Sequence, residues 1–131
     1  MKNKERELLK QFNQRFGKDL KEVSYQYSRF DAYDKDYIVE FKYRNDNYNR
    51  TLIEFDKYSF NCSYALLKKK RFLYVVGYED RMSVFDIFDL NNSGHNYCWE
   101  WREMPEQTEF NKTEKIFKFV GYIDFKKKCN K

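Results

Sequence analysis

The sequence is poor in the residues that build histidine metal sites, disulfides and flexible linkers. Its 131 residues include one histidine, one proline, four glycines and three cysteines. His95 stands in an Asn/Gly segment without a second histidine, so a metal site based on histidine is not expected. The cysteines form no Cys-x-x-Cys pair, and no histidine is placed to activate one of them. We therefore expect free thiols that pack, in a reducing compartment.

Long apolar runs are also missing. No segment approaches the roughly 20 apolar residues that a membrane-spanning helix needs. The charged residues 1–7 are not followed by the apolar stretch of a secretory signal. We therefore expect a cytoplasmic protein without a membrane partner. The length suits one domain, residues 1–131, and no internal repeat or linker divides it.

Aromatic and charged side chains are abundant instead. There are 13 Phe and 12 Tyr, and 26 Lys and Arg against 21 Asp and Glu give a net charge of +5. A basic surface is compatible with a polyanionic partner but also with a generally charged surface. The many Lys, Asn, Tyr and Phe residues suit an AT-rich genome, including those of many phages, which would place the protein in the host cytoplasm.

The spacing of apolar residues predicts alternating helices and strands. On the first helix, Glu5 shares the apolar face of Leu9 and Phe12, and on the second helix Lys57 lies on the inward face that contains Ile53. Residues 91–96 and 104–113 resemble loops. The predicted elements are helix 4–16 with a stop at Gly17, strands 23–28 and 37–43, helix 51–70, strands 72–78 and 82–88, and strand 116–125.

An acidic residue precedes a strand that contains Glu40-Phe41-Lys42. Glu40 and Lys42 are two residues apart, so they share one face of that strand. If the chain turns so that Asp34 faces Tyr37, Asp31 lies opposite Glu40, with the two Cβ atoms roughly 5 Å apart. A turn that differs by one residue would send Asp31 to the other face and make Asp34 the candidate. No glycine fixes this turn.

Convergent carboxylates with a nearby lysine suit the hydrolysis of a phosphodiester. The reaction needs an activated water, a clamp on the developing charge of the phosphate and stabilisation of the leaving oxygen. Mg²⁺ can contribute to all three, and it binds through a few carboxylates while it keeps several waters. The sequence therefore predicts a divalent-metal site if Asp31 and Glu40 converge.

The order of these residues resembles the PD-(D/E)XK nuclease superfamily, particularly its small phage-encoded members and archaeal-type Holliday junction resolvases. The resemblance covers residues 4–78. The chain differs from many members in one position, because Phe30 rather than a proline precedes Asp31. It implies a restriction-endonuclease-like core, a mixed central β-sheet flanked by helices in the order α-β-β-β-α-β. The candidate catalytic residues are Glu5, Asp31, Glu40, Lys42 and Lys57.

The same resemblance implies that Asp31 and Glu40 bind Mg²⁺ or Mn²⁺ and that DNA, including branched or single-stranded DNA, is cut to leave 5′-phosphates. Arg44 and Arg50 are expected to contact phosphates, whereas residues 68–71 are expected to be a solvated helix end. Many members of this superfamily form dimers, so a homodimer is one of the states that the resemblance allows. The alternative is a nuclease-fold protein that binds nucleic acid or a protein without cutting, such as a phage accessory or inhibitor protein.

The aromatic series Tyr97, Trp99 and Trp101 allows two interpretations. Aromatic side chains can stack on unpaired bases. Alternation of this kind is also typical of a strand that packs one face into a core, and we expect the second arrangement.

Overall fold

The computed structural model describes residues 1–25, 28–45, 49–105 and 114–127 and forms two β-sheets with flanking helices. The helices are α1 (Asn3–Phe16), α2 (Phe55–Lys68) and α3 (Ile87–Asn92), and a short 3₁₀ turn spans Phe125–Lys127. The strands are β1 (Lys21–Glu22), β2 (Ala32–Tyr33), β3 (Tyr37–Arg44), β4 (Arg50–Glu54), β5 (Arg71–Tyr78), β6 (Arg81–Asp86), β7 (Glu100–Pro105) and β8 (Lys115–Asp124). Within these ranges, no helix is long and apolar enough to cross a membrane.

The larger sheet has the strand order β1-β2-β3-β5-β6. Strands β3 and β5 are parallel, and the chain that connects them includes α2, because a parallel pair needs a crossover. The other neighbours in this sheet are antiparallel. A mixed sheet with helices against it was expected from the sequence, and at this level the expected α/β class is confirmed.

Helix α1 covers one face of the larger sheet. Leu8, Leu9 and Phe12 pack there in a buried cluster with Val39 and Phe41 of β3. The helix ends as predicted at Gly17, which has a φ of 62° and donates its N–H to the carbonyl of Asn13. Glycine adopts this left-handed conformation without the steric cost that a side chain brings.

Helix α2 lies on the opposite face of the larger sheet and is shorter than predicted. The expected helix 51–70 is wrong at its start, because residues 50–54 form strand β4, and the helix begins at Phe55. Ile53 is therefore a buried strand residue, and Leu67, expected on the inward face, is 78% exposed. Pairing of β4 with β8 overrides the local helical pattern, because the strand buries Thr51 and Ile53 alternately.

Four other predicted segments differ from the structure. Residues 23–25 are not in a strand, since β1 ends at Glu22, and residues 26–27 lie outside the described part. Strand β6 ends at Asp86, where the carboxylate accepts the N–H of Asp89 and caps α3. Helix α3 thus occupies residues assigned to strand 82–88 and to loop 91–96. Met104 and Pro105 belong to β7, and residues 106–113 lie outside the described part.

The β5–β6 hairpin and the last strand agree with the sequence. Strand β5 pairs with β6 around residues 79–80, and β8 spans Lys115–Asp124 against the expected 116–125. The smaller sheet has the order β4-β8-β7. Arg44 joins it to the larger sheet, since its guanidinium donates to the carbonyl of Leu52 at 3.0 Å and to the hydroxyl of buried Tyr74 at 3.3 Å. Tyr74 donates to the same carbonyl at 2.8 Å.

Candidate functional site

The β2–β3 hairpin has the register that places Asp31 opposite Glu40. Ala32 pairs with Val39, and the Asp31 N–H donates to the Val39 carbonyl at 2.9 Å. The carboxylate of Asp34 closes the turn by accepting the N–H groups of Asp36 and Tyr37, each at 2.8 Å. The predicted register is confirmed, and Asp34 is a turn residue rather than the alternative acid.

Asp31 lies in a setting that disfavours its negative charge. Burial, followed by the nearby charge of Glu40, raises the pKa of Asp31 to about 6, and Glu5 adds to the effect. The Phe41 N–H donates to Oδ2 of Asp31 at 2.7 Å and, together with Lys42, opposes this rise. Like-charged carboxylates raise one another's pKa, and a bound cation would relieve their repulsion.

Glu40 and Lys42 lie on central strand β3, between β2 and β5, with their side chains on the face that α2 covers. Glu40 is only 3% exposed. Burial lowers the pKa of Lys42, and the charge of Glu40 opposes this change. The period of the strand therefore puts a buried carboxylate and a desolvated ammonium on the same side, as the sequence predicted.

Lys57 of α2 reaches inward and bridges two carboxylates. Its Nζ lies 3.1 Å from Oε1 of Glu40 and 3.9 Å from Oε2 of Glu54. Although burial alone would lower the pKa of Lys57, Glu40 and then Glu54 raise it above the usual range. Lys57 is thus a stable cation at the site. Its inward direction was predicted, although Ile53 is not part of the same helix.

The smaller sheet supplies two residues that sequence reasoning missed. Glu54 ends β4, and its Oε1 lies 3.2 Å from Nζ of Lys118 on β8. Burial would raise the pKa of Glu54, but Lys57 and Lys118 lower it. The alternation of buried Thr51 and Ile53 could have indicated a strand that ends at Glu54. Nothing local to Lys118 links it to the site.

A cleft of about 40 Å³ opens where the two sheets meet. This volume is enough for a few water-sized groups, since each needs roughly 10–15 Å³. Its charged lining contains two carboxylates and four cations, namely Glu40, Glu54, Lys42, Arg44, Lys57 and Lys118. Asp31 and Glu5 are not among the described residues that line it. An excess of cations in a confined cleft favours an anionic group such as a phosphate.

Glu5 lies near the site from the opposite layer. It is half-buried in the first turn of α1, where one carboxylate oxygen accepts the Lys2 N–H at 3.3 Å. Its charge contributes to the pKa shifts of both Asp31 and Lys42. The structure therefore brings Glu5 into electrostatic range of the hairpin.

The two arginines predicted to bind nucleic acid occupy different positions. Arg44 lines the cleft, and it also holds the carbonyl of Leu52. Arg50 is exposed at the start of β4, where its guanidinium lies 3.9 Å from the ring centroid of Tyr122. Arg44 is thus beside the candidate site, whereas Arg50 belongs to the surface of the smaller sheet.

Metal binding at this site would depend on two carboxylates. In residues 1–25, 28–45, 49–105 and 114–127, no three His, Cys, Asp or Glu side chains form a group that could hold a metal ion. Asp31 and Glu40 nevertheless supply the oxygen ligands that Mg²⁺ prefers, and Mg²⁺ usually keeps several waters. Burial, followed by the charge of Glu40, raises the pKa of Asp31, and a neighbouring cation would favour its ionised form. The hairpin register thus brings two carboxylates to neighbouring positions, and Glu40 is at the same time paired with Lys57.

Histidine and cysteine play other parts in the structure. His95 Nε2 lies 2.9 Å from the Tyr122 carbonyl, and His95 is not among the described residues that line the cleft. Cys62 and Cys98 are free, as expected, and Cys129 lies outside the described residues. Burial raises the pKa of the Cys62 thiol to about 11, which disfavours the reactive thiolate.

No protein-family model matches the sequence, and a search of curated proteins finds no significant match.

Proposed function

We propose that this protein is a divalent-metal-dependent endonuclease of the PD-(D/E)XK type that hydrolyses DNA phosphodiester bonds and leaves 5′-phosphates. One observation carries the proposal: the hairpin register sets Asp31 opposite Glu40, with Lys42 on the same side of β3. The sequence resemblance requires this arrangement. A one-residue shift of the turn would have destroyed it.

The order of elements supports the same proposal. Helix α1, strands β1 to β3, helix α2 and strand β5 follow one another, and only β4 of the smaller sheet interrupts the series. With β4 set aside, this series is compatible with the α-β-β-β-α-β order that the resemblance implies. Fold alone does not establish an activity, so the proposal depends on the site residues.

In the proposed site, Asp31 and Glu40 bind Mg²⁺ or Mn²⁺. A bound divalent ion would lower the pKa of a coordinated water and neutralise charge on the phosphate. Lys42 positions the attacking water or stabilises the phosphate, because its ammonium shares the strand face of Glu40. Lys57 remains protonated, so it acts as a fixed positive charge. Glu5 contributes a third negative charge from α1.

The cation-rich cleft supports a phosphate-containing substrate. Lys42, Arg44, Lys57 and Lys118 outnumber Glu40 and Glu54 there. These side chains approach from both sheets, so a phosphate in the cleft would contact residues that lie far apart in the sequence. Contacts of this kind position a nucleic acid without reading its bases.

A cleavage assay tests the proposal. Purified protein is incubated with supercoiled, branched and single-stranded DNA, with and without Mg²⁺ or Mn²⁺. We expect metal-dependent cleavage that Glu40→Gln and Lys42→Met reduce at least a hundredfold. Glu7→Gln and Lys10→Met provide matched controls, because both residues are exposed on α1 and should leave cleavage unchanged. Absence of cleavage on every substrate, or cleavage that survives both site substitutions, would reject the catalytic proposal.

A second function is favoured by the contacts of Glu40. Its carboxylate pairs with Lys57 at 3.1 Å, and Asp31 does not line the cleft among the described residues. A protein with this arrangement would bind a phosphate backbone without cutting it. Salt-dependent DNA binding that Lys42→Met and Lys118→Met weaken, without any cleavage, would identify this function.

A further inference from the structure

An exposed aromatic surface lies on the smaller sheet, on the face opposite the cleft. Trp101 is 69% exposed and Phe117 is 67% exposed. The strand register puts both side chains on one face, since Trp101 pairs with Phe119 and Glu103 pairs with Phe117. Trp101 also packs against Phe119, with ring centroids 5.1 Å apart. Large exposed aromatics that adjoin one another are typical of an interaction surface.

Strand β7 forms an edge beside this surface. The sheet order is β4-β8-β7, and no strand within the described residues pairs with the outer side of β7. An open edge offers backbone N–H and C=O groups to another strand. Pro105 lacks an N–H group, so pairing is favoured toward the beginning of the strand.

Among registers centred on the first four residues of β7, one makes the strand complementary to itself. When two antiparallel copies of a strand are related by a two-fold axis, the axis passes between one residue and the same residue of the other copy. This follows because directly opposed side chains share a face of the sheet. A centre at Arg102 opposes two arginines, and centres at Glu100 or Glu103 oppose two glutamates. A centre at Trp101 opposes the two tryptophans and sets Glu100 of each copy against Arg102 of the other. Only this register of the four avoids like charges at its centre.

Glu100 and Arg102 already make contacts that are compatible with the pairing of two β7 strands about Trp101. Glu100 Oε1 accepts the Tyr122 hydroxyl at 2.6 Å, and Arg102 Nη1 donates to the same hydroxyl at 3.1 Å. Both side chains are therefore held on one face of the sheet. A carboxylate has a second oxygen and a guanidinium has five N–H groups, so each can make a further contact.

We propose that a second copy of this chain docks on β7 and that the two β7 strands pair antiparallel about Trp101. The two smaller sheets become one six-stranded sheet with Trp101 paired at the two-fold axis. The partner is another copy of the chain because both the charge pattern and the aromatic residue match themselves. This inference does not depend on the proposed nuclease activity.

A charge-swap experiment tests the pairing by light scattering after size exclusion. We expect the unaltered chain to have the mass of a dimer. Glu100→Arg alone and Arg102→Glu alone should each be monomeric, since each opposes like charges. An equimolar mixture of the two variants should recover the dimer, because every opposed pair is then complementary. Circular dichroism of each variant checks that the fold is retained.

Three results would overturn the inference. They are a monomeric unaltered chain at the highest soluble concentration, a dimer that neither single substitution changes, and a mixture that stays monomeric while both variants are folded. Trp101→Ser provides a second test and should also yield monomers. A monomeric chain whose binding to a single-stranded oligonucleotide is weakened by Trp101→Ser would show that the surface binds bases instead.

Discussion

The ammonium of Lys57 lies 3.1 Å from the carboxylate of Glu40, and this ion pair joins the first turn of α2 to the central strand of the larger sheet. Glu40 is nearly inaccessible to solvent, so its charge depends on a partner inside the protein. The same lysine approaches Glu54, which in turn pairs with Lys118. A chain of alternating charges therefore connects the candidate carboxylate to the smaller sheet.

Removal of the lysine charge should destabilise the fold. We expect Lys57→Met to lower the free energy of unfolding by about 3–5 kcal/mol, because the substitution leaves Glu40 buried without its cation. Urea denaturation measures the change. Lys68→Met, at the exposed end of the same helix, should change the free energy by less than about 0.5 kcal/mol. Equal effects of the two substitutions would contradict a structural role for the Lys57–Glu40 pair.

Asp31 should make stability depend on pH. Its pKa is about 6 in the folded protein and 3.8 in an ordinary setting, so the folded state binds more protons between these values. The contribution of Asp31 is greatest below pH ~4 and is lost as the pH rises through about 6. Asp31→Asn should therefore be more stable than the unaltered chain at neutral pH, by up to about 3 kcal/mol, since each pKa unit is worth about 1.4 kcal/mol.

The measurement is the free energy of unfolding of both proteins across this pH range. The advantage of Asp31→Asn should shrink toward acid pH, where the native carboxyl is protonated. The asparagine can still accept the Phe41 N–H, so the backbone contact is preserved. Parallel stability curves for the two proteins would show that Asp31 does not have the raised pKa.

Divalent metal should bind at the hairpin and lower the pKa of Asp31. We expect the carboxyl carbon of Asp31 to titrate near pH 6 without metal and at a lower pH with Mg²⁺, because a cation stabilises the ionised form. Nuclear magnetic resonance follows this titration directly. Calorimetry should detect Mg²⁺ binding that Asp31→Asn and Glu40→Gln abolish and Glu7→Gln retains. If neither Mg²⁺ nor Mn²⁺ changes the pKa of Asp31, the proposed metal site is ruled out.

Gly77 should resist substitution because α1 passes close to it. A Cβ atom on Gly77 would lie 2.5 Å from a methyl carbon of buried Leu8. We expect Gly77→Ala to cost about 1–3 kcal/mol by overpacking this contact. Leu8→Val in the same chain should recover part of the loss, and a double-mutant cycle measures the coupling. Additive effects would mean that α1 shifts freely away from the sheet.

The candidate site was predictable where its geometry depends on neighbouring residues. The two-residue period places Glu40 and Lys42 together, and the short hairpin brings Asp31 opposite Glu40. The uncertain turn was settled by the Asp34 carboxylate, which accepts two backbone N–H groups. An Asp at this position is a turn signal that replaces the missing glycine.

The prediction of the second helix was wrong at its start, because it used only the spacing of apolar residues within the segment. Apolar residues at helical spacing run through Ile53, yet residues 50–54 pair with β8, more than sixty positions later in the chain. A short strand gains its stability from its partner rather than from its own propensity. For the same reason, the sequence predicted the last strand but not its pairing with β4 and β7 in a separate smaller sheet.

The sequence by itself determined the first helix and its end at Gly17, and the shared face of Glu40 and Lys42, whereas the register of the β2–β3 hairpin was one of two that the sequence allowed. These features depend on local backbone preferences and on the fixed periods of helices and strands. Only the tertiary structure decided that Glu54 and Lys118 join Lys57 beside Glu40, and that a cation-rich cleft forms between the two sheets. Those residues meet through long-range strand pairing and burial, which no local pattern encodes.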